Sequence, residues 1–253
     1  MTMNDPHVVA LHYRIEHGPG IDWSRAKPLD VQDDRFDIRT ENVRVRFDLK
    51  DHHATEEAAR ASVEADYIPH WEFEVGLTRG PDAFALRFDH SDIVDRDPTP
   101  GPPTLSIRAG SGVPTVSFDL APPTPPAFPV PPRAIRRSLD IDSMYQHYLR
   151  HLGGGEPLPA MAYFCLTKLE QMAGGRANAA VTFAISKKVL DRIGELSSNK
   201  GGSSARKAVG STTPYTPEEE RFLKSAVKKL IRRAAEVEHG PDPSRTKISP
   251  PDI

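Results

Sequence analysis

At 253 residues, with 38 % hydrophobic and 27 % charged content, a mean hydropathy of -0.50 and one cysteine, the chain departs from several protein classes at once. It is too apolar for a disordered polymer, it offers no run of roughly 18 apolar residues for a membrane span, and the lone Cys165 cannot build a disulfide framework. The net charge of -2 hides a division: residues 1–132 carry 13 Lys+Arg against 22 Asp+Glu, residues 133–240 carry 18 against 11.

Halves of opposite sign invite each other or oppositely charged partners. The opening Met-Thr-Met-Asn-Asp lacks the basic and apolar regions of a signal peptide, which makes the cytoplasm the expected compartment.

Val9, Leu11, Tyr13 and Ile15 alternate with polar residues and predict a first strand with one buried face. Residues 18–35 mix Gly, Pro and Asp around an isolated Trp23 and read as a long surface loop anchored by the indole. Val43, Val45, Phe47 and Leu49 restore the alternation. Residues 55–68 then predict one short helix: Glu56 and Glu57 suit its positive end, Ala59, Val63 and Tyr67 form a stripe, and Pro69 stops it.

Trp71, Phe73, Val75 and Leu77 next alternate with polar residues, Arg79-Gly80-Pro81-Asp82 supplies a turn, and Phe84, Leu86 and Phe88 resume, which predicts a hairpin. Two shorter strands are expected at 104–108 and 115–120. The fold class is therefore α+β: residues 1–120 form an acidic antiparallel sheet domain with one inserted helix. Residues 121–137, with seven prolines between Ala121 and Pro132, read as a semi-rigid linker.

From 138 to 240 the rhythm is helical, predicting a basic α-helical bundle followed by a flexible tail over 241–253. Ile141, Tyr145, Tyr148 and Leu152 mark one helix, and 160–173, apolar nearly all round at its start, marks the central one. Val189, Leu190, Ile193 and Leu196 define a third, starting as early as Arg176. Thr216-Pro217-Glu218-Glu219 is a capping box with Pro at the first helical position, and the helix it opens is expected to bury Phe222, Leu223, Ala226, Val227, Leu230, Ile231, Ala234 and Val237. Lys224, Lys228, Lys229, Arg232 and Arg233 interleave with these residues, so a cationic ridge is expected on the solvated side.

Motifs for chemistry are sparse. Asp51-His52-His53 spells a tripeptide found in metal phosphoesterases, but the further Asp and His clusters that hold two metals are missing, and the residues read as a helix-entry loop. His147 and His151 stand one helical turn apart without a third ligand in sequence, so no metal site and no cofactor are expected. Cys165 sits in an apolar run and reads as packing. Residues 199–204 have the composition of a phosphate loop without its Gly-Lys-Ser order. Even so, Lys200, Arg206 and Lys207 beside the ridge residues Lys224, Lys228, Lys229 and Arg232 form a candidate binding set for phosphates. The partner expected is a protein or a nucleic acid, RNA ahead of DNA, and not a membrane.

Arg233 and His239, five residues between them at the end of a long helix that follows a β-rich domain, give residues 138–240 the look of the HEPN superfamily. That resemblance implies a metal-independent ribonuclease of bacterial defence or toxin systems, with Arg233 on the scissile phosphate, His239 in proton transfer and the site completed at a dimer interface. The leading expectation remains a two-domain cytoplasmic binding protein without a catalytic centre. The HEPN-type ribonuclease is the alternative, and a structural component that homodimerises through its bundle is the third.

Overall fold

β1 (Pro6–Glu16) is the strand on which the N-terminal unit is built. It pairs antiparallel with β4 (Arg44–Leu49) on one side and β5 (Ala85–Asp95) on the other, while β3 (Phe36–Glu41) and β2 (Asp30–Gln32) extend the sheet to the order β2-β3-β4-β1-β5. The computed structural model describes residues 4–97, 127–132, 135–201, 213–240, 242 and 244–253. They fall into two units: Met1–Gly76 with Asp82–Pro131, and Leu77–Pro81 with Pro132–Ile253. The architecture is α+β, an antiparallel sheet followed by helices.

Period-2 alternation sends Leu11, Tyr13, Ile15, Ile38, Val45 and Phe47 to one face of the sheet. There α1 (Glu56–Glu64) adds Ala59 and Val63, and α2 (Tyr67–Arg79) adds Tyr67, Trp71 and Val75. The Thr55 hydroxyl caps α1 by accepting the Ala58 N–H at 3.2 Å. β3 and β4 are joined by Asn42 and Val43, both at positive φ (47° and 58°), the geometry of a tight hairpin turn. For a β-branched residue such as Val43 that conformation is strained. Val43 thus belongs to the turn rather than to the strand that alternation gave it.

α2 replaces the expected hairpin strand at 71–77. Trp71, Phe73, Val75 and Leu77 are all buried, so the helix is covered on nearly every side and shows no 3.6-residue period; alternation with Glu72 and Glu74 then imitates a strand. Pro69 does not stop a helix either. It sits in the first turn of α2, where a missing N–H leaves no hydrogen bond unmade. Two helices, not one, therefore lie between β4 and β5.

Trp23 is fully buried and donates its indole N–H to the Ala83 carbonyl at 2.7 Å, which fixes the long loop as expected. Its ring stacks on Phe128 at 5.4 Å, and Trp71 donates its own N–H to the Pro129 carbonyl at 3.0 Å. Within the described part of the proline-rich stretch, residues 127–132, Phe128 is thus packed into the aromatic core while Val130 stays 62 % exposed, so the stretch is anchored by that ring rather than free. Proline cannot join a ladder, yet nothing prevents a neighbouring ring from filling a core site. Residues 104–108, 115–120 and 121–126 lie outside the described residues.

In the second unit α4 (Leu158–Ala173) is the central helix, packed by α3 (Leu139–Leu152), α5 (Arg176–Thr182), α6 (Lys187–Asn199) and α7 (Pro217–His239). Leu158, Met161, Ala162, Cys165, Leu166 and Leu169 form its buried stripe. α5 and α6 are separate helices, because Ala184 adopts a left-handed conformation (φ 47°) between them. α7 begins as expected: Thr216 Oγ1 accepts the Glu219 N–H, and the Glu219 carboxylate accepts the Thr216 N–H. Residues 244–253, expected in a flexible tail, are tied down instead, since the Ile248 N–H donates to the Ala184 carbonyl and the Ser186 N–H to the Ile248 carbonyl.

Among the described residues no helix is long and apolar enough to cross a membrane.

Candidate functional site

The expected cationic ridge is not a solvated face. α7 buries Arg233 and Ala235 as well as its apolar stripe, leaving Lys228 and Lys229 half-buried and only Arg221, Lys224 and Arg232 open to water. Several of these charges are already matched within the helix: Lys224 pairs with Glu220 and Arg232 with Glu236, each one turn away. Lys200 donates to both oxygens of Glu219 at 2.7 and 2.8 Å, and Arg192 reaches the same carboxylate. That cluster fastens α6 to the start of α7. Arg206 and Lys207 lie outside the described residues.

Arg233 is 8 % exposed and its guanidinium is fully engaged. Nε donates to Glu236 at 2.9 Å, Nη1 to the carbonyls of Phe183 at 3.0 Å and Ala184 at 3.3 Å, and Nη2 to the Thr246 carbonyl at 2.9 Å. Phe183 is the C-cap of α5, so the charge sits where carbonyls are left over at a helix end, and it also holds the C-terminal segment. His239, at the exposed end of α7, stands about 120° from Arg233 around the helix axis. The structure therefore does not bring the pair together on one surface of this chain. What sequence spacing cannot register is that the neighbouring carbonyls claim the guanidinium.

The histidine motifs have structural employment too. His147 stacks on Phe164 with ring centres 3.5 Å apart, and its Nδ1 lies 2.8 Å from the Glu156 carboxylate. His151 donates Nδ1–H to the Glu156 carbonyl at 2.9 Å. Glu156, from the loop before α4, is a carboxylate that the i, i+4 spacing did not reveal, and both imidazoles use it to fasten that loop. In Asp51-His52-His53, the His53 carbonyl accepts the Val8 N–H, and His52 Nδ1 lies 3.1 Å from His7 Nδ1. Burial, with His52 and Arg96 adding to it, holds His7 below the ordinary imidazole range. Cys165 is fully buried, and that burial pushes its thiol far above the ordinary value, which suits packing.

Lys229, Arg232, Arg233 and Glu236 line one cleft with Ile248 and Asp252, where both arginines pair with Glu236; among the described residues polar groups converge in two further places. The first is a cleft of about 280 Å³ in the helical unit, lined by Tyr148, His151 and Leu152 of α3 and by Lys224 and Lys228 of α7. Lys228 has no carboxylate within ion-pair distance among the described residues, and its ammonium stands 6.0 Å from the centre of the Tyr148 ring. Because His151 Nδ1 carries the proton given to Glu156, Nε2 is its basic nitrogen. Burial raises the Tyr148 phenol to about 12, so it enters as a neutral wall.

The second is the outer face of the sheet, opposite the core. His12 of β1 and His90 of β5 are direct cross-strand partners with stacked rings 4.2 Å apart, and Asp92, two residues on, shares their face. His12 Nε2 lies 3.0 Å from the Asp92 carboxylate, which Arg46 of β4 also approaches at 3.3 Å. Burial works against ionising Asp92, but the His12 hydrogen bond and the charges of His12 and Arg46 prevail and hold the carboxyl below its ordinary value. Sequence reading missed this group. Its signal was the His-Ser-Asp of residues 90–92, which belongs to a strand that the pattern had carried only to Phe88. Comparison of the chain with protein-family models, curated proteins and solved structures yields no match.

Proposed function

We propose that the protein is a binding protein without a catalytic centre of its own, whose helical unit seats an acidic segment of a partner protein in the cleft between α3 and α7. The observation that carries this reading is Lys228. It is a half-buried ammonium with no carboxylate partner among the described residues, beside a second lysine and the basic nitrogen of His151. A partly desolvated cation attracts a carboxylate more strongly than a fully hydrated one, because the local dielectric is lower. Leu152, 44 % exposed at the same cleft, offers an apolar contact beside the charge. A peptide with an acidic and an apolar side chain fits that combination. RNA fits it less well: the aromatic ring at the cleft, Tyr148, is 2 % exposed and has no face open for stacking a base.

The test is fluorescence anisotropy with a labelled acidic peptide and, separately, a labelled single-stranded RNA, for the wild type and Lys228→Glu. The reading expects peptide binding that weakens with salt and falls by about tenfold or more in the variant. Absence of peptide binding, or equal binding by both proteins, removes it. RNA bound more tightly than peptide moves the site to a nucleic acid. RNA cleavage in EDTA by the wild type that is lost in His239→Ala would replace the reading with the ribonuclease.

A further inference from the structure

We infer that His12, His90 and Asp92 on the outer face of the sheet form a binding site for a first-row divalent metal ion of the zinc type. One ring nitrogen from each histidine and one oxygen of Asp92 lie within 4.8 Å of one another. Imidazole with carboxylate is the donor set that zinc and its neighbours prefer, and three protein ligands with open positions suit an accessible site. The His12 Nε2 to Asp92 Oδ2 separation is 3.0 Å. Two tetrahedral ligands each about 2.1 Å from one metal are themselves about 3.4 Å apart, so this pair stands within about 0.4 Å of a coordination bite. Rotation about the soft terminal torsions of the histidines closes a remaining gap of at most about 1.4 Å.

The surroundings fit a ligand set rather than a chance grouping. His90 donates Nδ1–H to the Asp89 carboxylate at 3.0 Å, which fixes its tautomer and leaves Nε2 as the lone-pair nitrogen. A carboxylate behind the ring is the usual outer partner of a metal-bound histidine. Asp89 is held in turn by Arg14 at 3.2 Å, and Arg46 bridges Asp92 and Asp48. Arg39 also approaches Asp48, at 3.9 Å, so the guanidinium groups beside the site are already matched to carboxylates. When the metal enters, the proton on His12 Nε2 moves to Nδ1, the imidazole stays neutral, and Arg46 remains on the carboxylate. Strand register makes the site rigid: three ligands on adjacent paired strands cannot separate without breaking the ladder.

The inference rests on the sheet unit alone and does not depend on the cleft in the helical unit. Calorimetric titration of the full chain with Zn²⁺ tests it, on the wild type, His12→Ala, His90→Ala, Asp92→Asn and the control His147→Ala, which belongs to another histidine cluster. The expected result is one ion per chain, with affinity lowered about tenfold or more in each of the three site variants and unchanged in the control. Zinc should also raise the melting temperature of the wild type and leave that of His12→Ala unmoved. Circular dichroism identifies any variant that fails to fold, and His12→Gln then stands in for it. No uptake by the wild type, uptake unchanged in the site variants, or uptake lost in His147→Ala would each overturn the assignment.

Discussion

The two units hold themselves together by different chemistry. In the sheet unit the largest fully buried side chains are aromatic, with Trp23, Trp71, Tyr13, Phe36 and Phe47 delivered from separate strands, loops and a helix, and Phe128 from far along the chain. In the helical unit aliphatic side chains dominate, such as Leu166, Leu169, Leu190, Ile193 and Leu223, with Ala162, Ala226 and Ala234 where helices approach closely, and the gaps at helix ends are closed by polar anchors such as Arg233 and Glu219. A large ring can fill a core from whichever segment brings it, whereas close-packed helices depend on how their ends are satisfied. Sensitivity to mutation should follow that difference.

The comparison can be broken most directly at Phe128. If the proline-rich segment is part of the sheet core, Phe128→Ala should destabilise that unit by about 4 kcal/mol. Both tryptophans of the chain, Trp23 and Trp71, belong to that unit, so denaturant unfolding followed by tryptophan fluorescence reads it selectively. A change below about 1 kcal/mol would show that residues 127–132 merely lie on the unit.

Arg233→Met gives the next largest effect. The substitution keeps much of the volume but leaves the carbonyls of Phe183, Ala184 and Thr246 without their donor, which should cost about 3 kcal/mol in the helical unit. Loss of helical circular dichroism on heating checks it. A variant as stable as the wild type would return the guanidinium to the list of groups free for chemistry.

Smaller still is Thr216→Ala, which removes one half of the capping box and should cost about 1 kcal/mol on the same measurement. The smallest effect is a pH response. Lys200, followed by the Thr216 N–H, holds the Glu219 carboxyl below its ordinary 4.5. A depressed carboxyl contributes stability above its ordinary value and loses it as pH falls through the folded value. The helical unit should therefore weaken on acidification below about pH 4.5, and Glu219→Gln should flatten that limb. A slope identical in the two proteins would mean that other carboxylates carry the acid response.

Legibility followed the same division. β1, β4, the Trp23 anchor, the central helix α4 and the capped start of α7 could be read from the chain, because each rests on neighbours in sequence: alternation, an isolated indole, an apolar run, a capping box. The strand assigned to residues 71–77 could not survive, since a helix buried all round loses the period that identifies it. Lys224, Lys228, Lys229, Arg232 and Arg233 formed one ridge by spacing. In three dimensions they separate into paired, half-buried and buried groups: Lys224 and Lys228 line the cleft beside Tyr148, whereas Lys229, Arg232 and Arg233 line another beside Ile248.

What the chain alone determined was local: where backbone donors are capped, which faces are apolar, and that an acidic antiparallel sheet precedes a basic set of helices. Only the tertiary structure decided which carbonyls surround Arg233, which ring stacks on Trp23, and that His12 meets His90 and Asp92 across two strands. Those meetings join residues from 13 to more than 100 positions apart. Periodicity constrains neighbours within one element, whereas strand register and helix packing bring distant residues together, and register is set by the whole sheet.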